Sequence, residues 1–156
     1  MLAVMSCLLF SGCGGQSEQK KFVITYLPNE STDKNADARK GMAGDLSKVL
    51  GMEVTELVSN DYNAVIEAMR TGKADMAYFG PLSFCLAYER AGAEPIGMIA
   101  KDKDKKNATY KSVLVTSSKN TDINRIQDIK GKTMAFVDPN STSGNLIPSA
   151  AIMKAF

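Results

Sequence analysis

The chain has 156 residues, of which 44% are hydrophobic and 23% charged, a composition typical of a folded globular protein rather than a disordered or fibrous one. Its 19 Lys and Arg residues and 17 Asp and Glu residues leave a net charge of +2, which produces no field strong enough to favour nucleic acid as a partner. The chain has no histidine, so a Ser-His-Asp triad and a histidine-bearing zinc site are excluded within it.

The first residues have the pattern of a secretory signal. Residues 2–10 are mostly apolar and are followed by Ser11, Gly12 and Cys13, and then by a polar run. Small residues directly before a cysteine resemble a bacterial lipobox, which implies a signal peptide over 1–12, lipidation of Cys13 and a lipid-anchored tether over 13–21. The alternative is a buried N-terminal helix. The apolar run is too short to span a bilayer, which favours the lipoprotein signal.

Beyond the tether, apolar periodicity predicts strands that alternate with helices. Glycines at 51, 72 and 92 are placed to end three of the helices, and Ser59, Asn60 and Asp61 are candidates to cap the second one. This alternation argues for an α/β fold with a largely parallel sheet, in which ligands bind at the carboxyl ends of the strands. Strands are predicted over 22–27, 53–58, 74–79, 96–100, 110–116 and 133–137, and helices over 36–50, 62 to about 72, 82–91, 123–129 and 147–156.

The cysteines predict neither an internal disulfide nor a nucleophile in the mature chain. With Cys7 removed in the signal and Cys13 lipidated, Cys85 is left alone in the mature chain and has no partner for an internal disulfide. Because Cys85 lies in an apolar stretch, we expect a small buried hydrophobic side chain rather than a nucleophile.

Three hydroxyl residues crowd the turn between the last predicted strand and the last predicted helix. Ser141, Thr142 and Ser143 follow Asp-Pro-Asn at 138–140 and precede Gly144; residues 138–144 are called the hydroxyl loop below. Backbone N–H groups at a helix start have no intrahelical partner and attract anions, and short neutral hydroxyls add donors suited to a tetrahedral oxyanion. Gly144 would let the backbone approach such a ligand closely. Plain N-capping is the alternative, and the loop does not have the spacing of a nucleotide-binding P-loop.

The hydroxyl loop resembles the ligand loop of the phosphate-, phosphite- and phosphonate-binding proteins of ABC importers. Residues 61–69, 74–81 and 129–136 are similar to other segments of that family. The resemblance implies an α/β, periplasmic-binding-protein-like (type II) fold, a two-lobed clamshell that holds its ligand between the lobes. Residues 22–117 would form lobe one, 118–130 the crossover and 131–156 the start of a truncated lobe two, so we expect a fragment of a longer protein.

The resemblance also assigns roles to residues. Ser141, Thr142 and Ser143 match the loop that hydrogen-bonds the oxyanion, and Tyr62 and Tyr110 match two tyrosines that face the ligand. Tyr78, at the end of a predicted strand beside Phe79 and Gly80, lines either the cleft or the sheet core. Ordinary half-buried packing is the alternative for Tyr62 and Tyr110.

The function implied is that of an extracytoplasmic solute-binding lipoprotein that delivers phosphonate, phosphite or phosphate to the permease subunits of an ABC importer. Such a protein needs no cofactor or metal and catalyses no reaction. The alternatives are an extracytoplasmic oxyanion-sensing domain of a signalling protein and an enzyme on the same clamshell, although the enzyme would need reactive groups such as histidine. In aminoalkylphosphonate binders, the acidic groups that hold the ligand's ammonium come from a part of lobe two that lies beyond this chain.

Overall fold

The computed structural model describes residues 20–100 and 102–156, so the predicted signal peptide, Cys13 and most of the predicted tether lie outside the described residues. Strands and helices alternate through the first part of the chain, as the periodicity predicts. The main elements are β1 (Phe22–Tyr26), α1 (Ala36–Leu50), β2 (Val54–Leu57), α2 (Tyr62–Arg70), β3 (Met76–Tyr78), α3 (Pro81–Ala91) and α4 (Ile147–Ala155). Short 3-10 turns occur at Asp33–Asn35, Lys105–Asn107 and Ile126–Ile129, and a π-helical turn, Thr142–Leu146, leads into α4.

The three strands form a parallel sheet in the order β2-β1-β3. The first crossover runs from the central strand β1 to β2, and the second runs back from β2 across β1 to β3. Because the two crossovers run in opposite directions, right-handed connections place α1 and α2 on opposite faces of the sheet. The central strand is the most buried, with Ile24 and Thr25 almost inaccessible to solvent. The Thr25 hydroxyl donates to the carbonyl of Leu57 at 2.9 Å, which satisfies a buried polar group and ties β1 to the end of β2.

The core lies between the sheet and the pair α2 and α3. One cluster contains Leu27, Tyr62 and Val65, and a second contains Ile66, Ala87 and Ala93. Phe79, just after β3, packs against both clusters and so belongs to the core rather than to an open cleft.

The helix ends follow the sequence signals. Asp61 is the N-cap of α2, because its Oδ1 accepts the N–H of Ala64 at 2.7 Å, as predicted. Gly51 and Gly92 end α1 and α3 with φ of 66° and 62°, a left-handed conformation that favours glycine.

The side of the sheet that carries α1 is less covered than the side that carries α2. No residue of α1 is buried, and Met42 and Val49 are 42% and 82% exposed. Arg39 attaches this helix to the loop before it and to the sheet. Its guanidinium donates to the carbonyls of Glu30 and Thr32 at 2.7 and 2.8 Å, and its Nε lies 2.7 Å from Oε1 of Glu56 in β2.

The strands predicted over 96–100, 110–116 and 133–137 are wrong, because the described residues in these segments pair with no neighbouring strand. Their apolar residues are open to solvent; Ile96 is 83% exposed and Val115 87%. A strand is stable only when its backbone groups pair with another strand, and these segments form no ladder with β1, β2 or β3. The helix predicted over 123–129 is reduced to the turn Ile126–Ile129.

The expected burial of Cys85 is also wrong, because this free thiol is exposed on α3. The helix turns its other side to the core, where Ser83 and Ala87 are buried. Cys85 lies two positions from each of them, which on a helix is close to the opposite side. Within the described residues, no helix combines the length and the apolar character needed to cross a membrane.

Candidate functional site

The hydroxyl loop begins where the chain leaves Val137 and ends in the π-helical turn before α4. Ser141 is the N-cap of this turn: its buried hydroxyl oxygen accepts the N–H of Gly144 at 3.1 Å. Its backbone carbonyl accepts the N–H of Leu146 at 3.0 Å. The first of the three hydroxyls therefore does what the capping alternative predicts, and it fixes the geometry of the turn.

The second hydroxyl reaches a different helix. Oγ1 of Thr142 accepts the backbone N–H of Leu82, in the first turn of α3, at 2.8 Å. The position of a Cβ on Gly80, the residue before α3, would be 3.8 Å from the same oxygen. Thr142 thus satisfies one of the N–H groups that α3 leaves without an intrahelical acceptor, and the loop is held against the start of that helix.

Asp138 attaches the loop to α2. Its Oδ1 accepts the N–H of Asn140 at 2.7 Å, and its Oδ2 accepts the N–H of Tyr62, the first residue of α2, at a longer 3.4 Å. The starts of α2, α3 and the helical segment that leads into α4 consequently converge on the loop. The Asp138 carboxylate already occupies the start of α2, which leaves the starts of α3 and of the turn before α4 as the positive helix ends beside the loop.

A cavity of about 240 Å³ opens beside this junction. All six residues that line it are uncharged: Pro81, Tyr110, Ser112, Thr142, Ser143 and Ile147. Thr142 and Ser143 are the first two residues of the helical turn, so their N–H groups lack intrahelical acceptors. Hydroxyls, helix-start N–H groups and an aromatic ring are suited to a small anion held without a counter-charge.

The structure brings together three of the predicted ligand residues, since Tyr110, Thr142 and Ser143 all line the cavity. Two other predicted residues have structural roles beside it. Ser141 caps the turn. Gly144 is required by packing, because a Cβ there would lie 2.5 Å from both Cβ and Cγ2 of Val137. The close approach predicted for Gly144 therefore occurs with the protein's own side chain.

Tyr62 and Tyr78 do not line this cavity. Tyr62 is buried in the core cluster with Leu27 and Val65, and its O–H donates to Oδ1 of Asn29 at 3.0 Å. Tyr78 ends β3 and is half-buried. Burial raises the pKa of Tyr78, and the charge of Glu30 and the nearby Tyr110 and Tyr62 raise this pKa further, so its phenol stays protonated at neutral pH.

Sequence reasoning missed Ser112 and Asp138. The hydroxyl of Ser112 donates to the backbone carbonyl of Ser143 at 2.7 Å, and its side chain lines the cavity. One signal could have found it: in an extended chain, residues two apart point to the same side, so Ser112 accompanies Tyr110. Asp138 offered no comparable signal, because its partner Tyr62 lies 76 residues away.

A family model and two curated relatives that match this chain all describe phosphonate- or phosphate-binding transport proteins. A family model described as "ABC transporter, phosphonate, periplasmic substrate-binding protein" matches residues 24–156. The chain is 31% identical to the "Phosphate-import protein PhnD" of Mycolicibacterium smegmatis, with 97% of this chain and 50% of the relative covered. It is 31% identical to the "Phosphonates-binding periplasmic protein" of Escherichia coli, with 90% and 42% covered. The chain therefore spans about half the length of the curated relatives that it matches.

Two solved structures share its fold. A binding protein component of an ABC phosphonate transporter from Pseudomonas aeruginosa superposes with a TM-score of 0.70 at 25% identity, covering 86% of this chain and 45% of that one. PhnD1 of Prochlorococcus marinus, solved in complex with methylphosphonate, gives a TM-score of 0.58 at 24% identity, with 87% and 50% covered. The expected fold class, an α/β fold of the type II periplasmic-binding kind, is confirmed by these structures.

Proposed function

Because the chain belongs to the phosphonate-binding family of ABC-transporter periplasmic substrate-binding proteins, we propose that it binds a phosphorus oxyanion and delivers it to permease subunits. Periplasmic binding proteins of ABC importers act outside the cytoplasm. The ligand class is phosphonate, phosphite or phosphate. The protein acts as a carrier and not as an enzyme, with binding as its whole chemical task.

The observation that carries the proposal is the cavity with no charged lining residue, beside the starts of α3 and of the turn that leads into α4. Thr142, Ser143 and Tyr110 line it, each with a hydroxyl that can donate to an anion, and Thr142 and Ser143 begin the helical turn and so add N–H groups without intrahelical acceptors. An anion there is held by neutral donors and helix dipoles, an arrangement that gives moderate affinity and allows release. Release is required of a carrier.

The remaining predicted roles form part of the same proposal. Residues 22–117 belong to lobe one, 118–130 to the crossover and 131–156 to the start of lobe two, with the cavity where the lobes meet. In place of the ligand contacts predicted for them, Ser141 and Gly144 fix the turn that carries Thr142 and Ser143, and Tyr62 and Tyr78 lie outside the cavity lining. Closure of the lobes on the ligand produces the form that docks on the permease.

We further propose that Cys13 carries a lipid that anchors the protein to the outer face of the cell membrane. Metabolic labelling with a radioactive or clickable fatty acid should mark the chain in its bacterial host. Cys13→Ala should remove the label and release the protein from the membrane fraction, whereas Cys85→Ala should leave both unchanged. Labelling that survives in Cys13→Ala would refute the anchor.

The binding proposal is tested by calorimetry on the chain with phosphate, phosphite and methylphosphonate. Ser143→Ala should weaken binding of each by about 1–3 kcal/mol, since a bound oxygen loses its donor. Ser117→Ala is the matched control, because Ser117 is an exposed serine whose hydroxyl accepts only the N–H of Lys119, at 3.3 Å, and it should bind as the wild type does. If none of the three anions binds, or if Ser143→Ala binds them unchanged, the proposed site is wrong.

A further inference from the structure

The hydroxyl of Ser112 is fixed in direction. A serine hydroxyl has one proton to donate and two lone pairs that accept. The Ser112 hydroxyl lies 2.7 Å from the backbone carbonyl oxygen of Ser143, and a carbonyl can only accept, so the proton of Ser112 is committed to this bond. Only the lone pairs of Ser112 remain for anything that enters the cavity that it lines.

The Thr142 hydroxyl is oriented in the opposite way, with its oxygen accepting a hydrogen bond from the protein. Its oxygen accepts the N–H of Leu82 at 2.8 Å, so its own proton is free to point into the cavity. The hydroxyls of Ser143 and Tyr110 make no hydrogen bond to protein within the described residues, so each can rotate to donate to an anion. Among the lining side chains, Ser112 is therefore the one that is oriented as an acceptor.

From this arrangement we propose that Ser112 is a specificity-determining residue that accepts the proton of a P–O–H group on the bound oxyanion. The inference rests on the proposed function and states which form of the ligand the site takes. A singly protonated phosphorus oxyanion satisfies the lone pairs of Ser112 with its own proton and meets the other hydroxyls with its ionised oxygens. A tetrahedral anion without a proton leaves two acceptors, its own oxygen and that of Ser112, facing each other.

The free-energy cost of placing an unprotonated anion oxygen against the Ser112 oxygen determines how strongly the site prefers a protonated anion. A site built to hydrogen-bond a group on its ligand rejects the analogue that lacks the group, because a confined polar atom is left unpaired. Phosphate keeps at least one P–O–H group at neutral pH, whereas sulfate has the same shape and no proton. Methylphosphonate in its singly protonated form and methanesulfonate form a second matched pair.

The test is titration calorimetry of the whole chain with inorganic phosphate and sulfate at one neutral pH. The wild type should bind phosphate at least about tenfold more tightly than sulfate. Ser112→Ala should bind phosphate more weakly and lose most of this ratio, Ser112→Thr should restore it, and Ser117→Ala should behave as the wild type.

The ratio of phosphate affinity to sulfate affinity distinguishes a selectivity role of Ser112 from a role limited to supporting the hydroxyl loop. If Ser112 only positions Ser143, then Ser112→Ala weakens phosphate and sulfate by the same factor, and the unchanged ratio overturns the inference. The wild type also provides a test that needs no variant: at mildly acidic pH it should prefer methylphosphonate to methanesulfonate, and equal binding would overturn the inference. Phosphate binding without selectivity removes only this inference, whereas no binding of any phosphorus oxyanion removes the proposed function as well.

Discussion

Thr142 and Leu82 are joined by a hydrogen bond of 2.8 Å between the threonine hydroxyl and the leucine backbone N–H, across 60 residues of chain. The bond makes one side chain serve two helices, because the same residue begins the π-helical turn and satisfies the start of α3. Three consecutive hydroxyls exceed what one helix cap requires. The structure accounts for two of them by capping, and the third, Ser143, faces the cavity.

Removing the Thr142 hydroxyl should therefore destabilise the junction. Thr142→Val keeps the shape and leaves the Leu82 N–H without its acceptor, so we expect the free energy of unfolding to fall by about 1–3 kcal/mol. Urea denaturation measures this change. Thr142→Ser keeps the hydroxyl and should lose less than Thr142→Val; equal losses in the two variants would show that the methyl group, not the hydrogen bond, matters.

Gly144→Ala should displace the hydroxyl loop. A Cβ at this position would lie 2.5 Å from Val137, a separation that forces backbone movement, and overpacking of this kind costs about 1–3 kcal/mol. Gly44→Ala is the matched control, since Gly44 lies within α1 and a Cβ there meets nothing within 4 Å. The control should leave stability unchanged or raise it by roughly 0.5–1 kcal/mol, because alanine favours a helix over glycine. A neutral Gly144→Ala would contradict the packing role.

Arg39→Lys should loosen the attachment of α1 and of the loop before it. Lysine cannot reproduce the two bonds to the carbonyls of Glu30 and Thr32 together with the contact to Glu56. We expect a loss of about 1.5–3 kcal/mol in chemical denaturation, typical of charge-assisted hydrogen bonds. Lys48→Met removes the exposed pair with Asp45 and should cost under about 1 kcal/mol. The prediction fails if the two variants lose the same amount.

Alkaline pH should weaken the fold in part through Tyr78. Burial, and then the charge of Glu30, raise the pKa of Tyr78 above its ordinary value of 10.0 in the folded chain. The folded state therefore keeps a proton that the unfolded state releases, so the contribution is complete below pH 10 and is lost as the pH rises through the folded pKa. Comparing urea unfolding at about pH 8 with unfolding above pH 10 measures the loss. Tyr78→Phe should show a shallower decline than the wild type, while Tyr88→Phe, which alters a side chain that is 61% exposed, should match it.

The sequence predicts local features of this protein well and long-range pairing poorly. Periodicity and caps identify β1, β2, β3 and the helices between them, because those signals act within a few residues: Asp61 caps α2, and Gly51 and Gly92 end helices as expected. Three further apolar segments have strand composition but no pairing strand, and composition alone cannot report whether a partner is present.

In the candidate site, too, the local features were predictable from the sequence and the long-range contacts were not. A run of hydroxyls before a helix indicates an anion site, and Thr142, Ser143 and Tyr110 do line one cavity. The direction of each hydroxyl depends on partners far along the chain, such as Leu82 for Thr142 and Ser143 for Ser112. For that reason the donor role of Thr142 and the acceptor role of Ser112 could not be predicted from the sequence.

The span of these contacts has a consequence for folding. The bonds that fix the hydroxyl loop connect residues 60 and 76 positions apart, so each requires a long stretch of chain to close before it can form. High contact order makes such junctions late events, and we expect the sheet and α2 to be protected from hydrogen exchange before the loop is. A synthetic peptide of the hydroxyl loop and α4 would lack Leu82, Tyr110 and Ser112, and it would have no site to offer an anion.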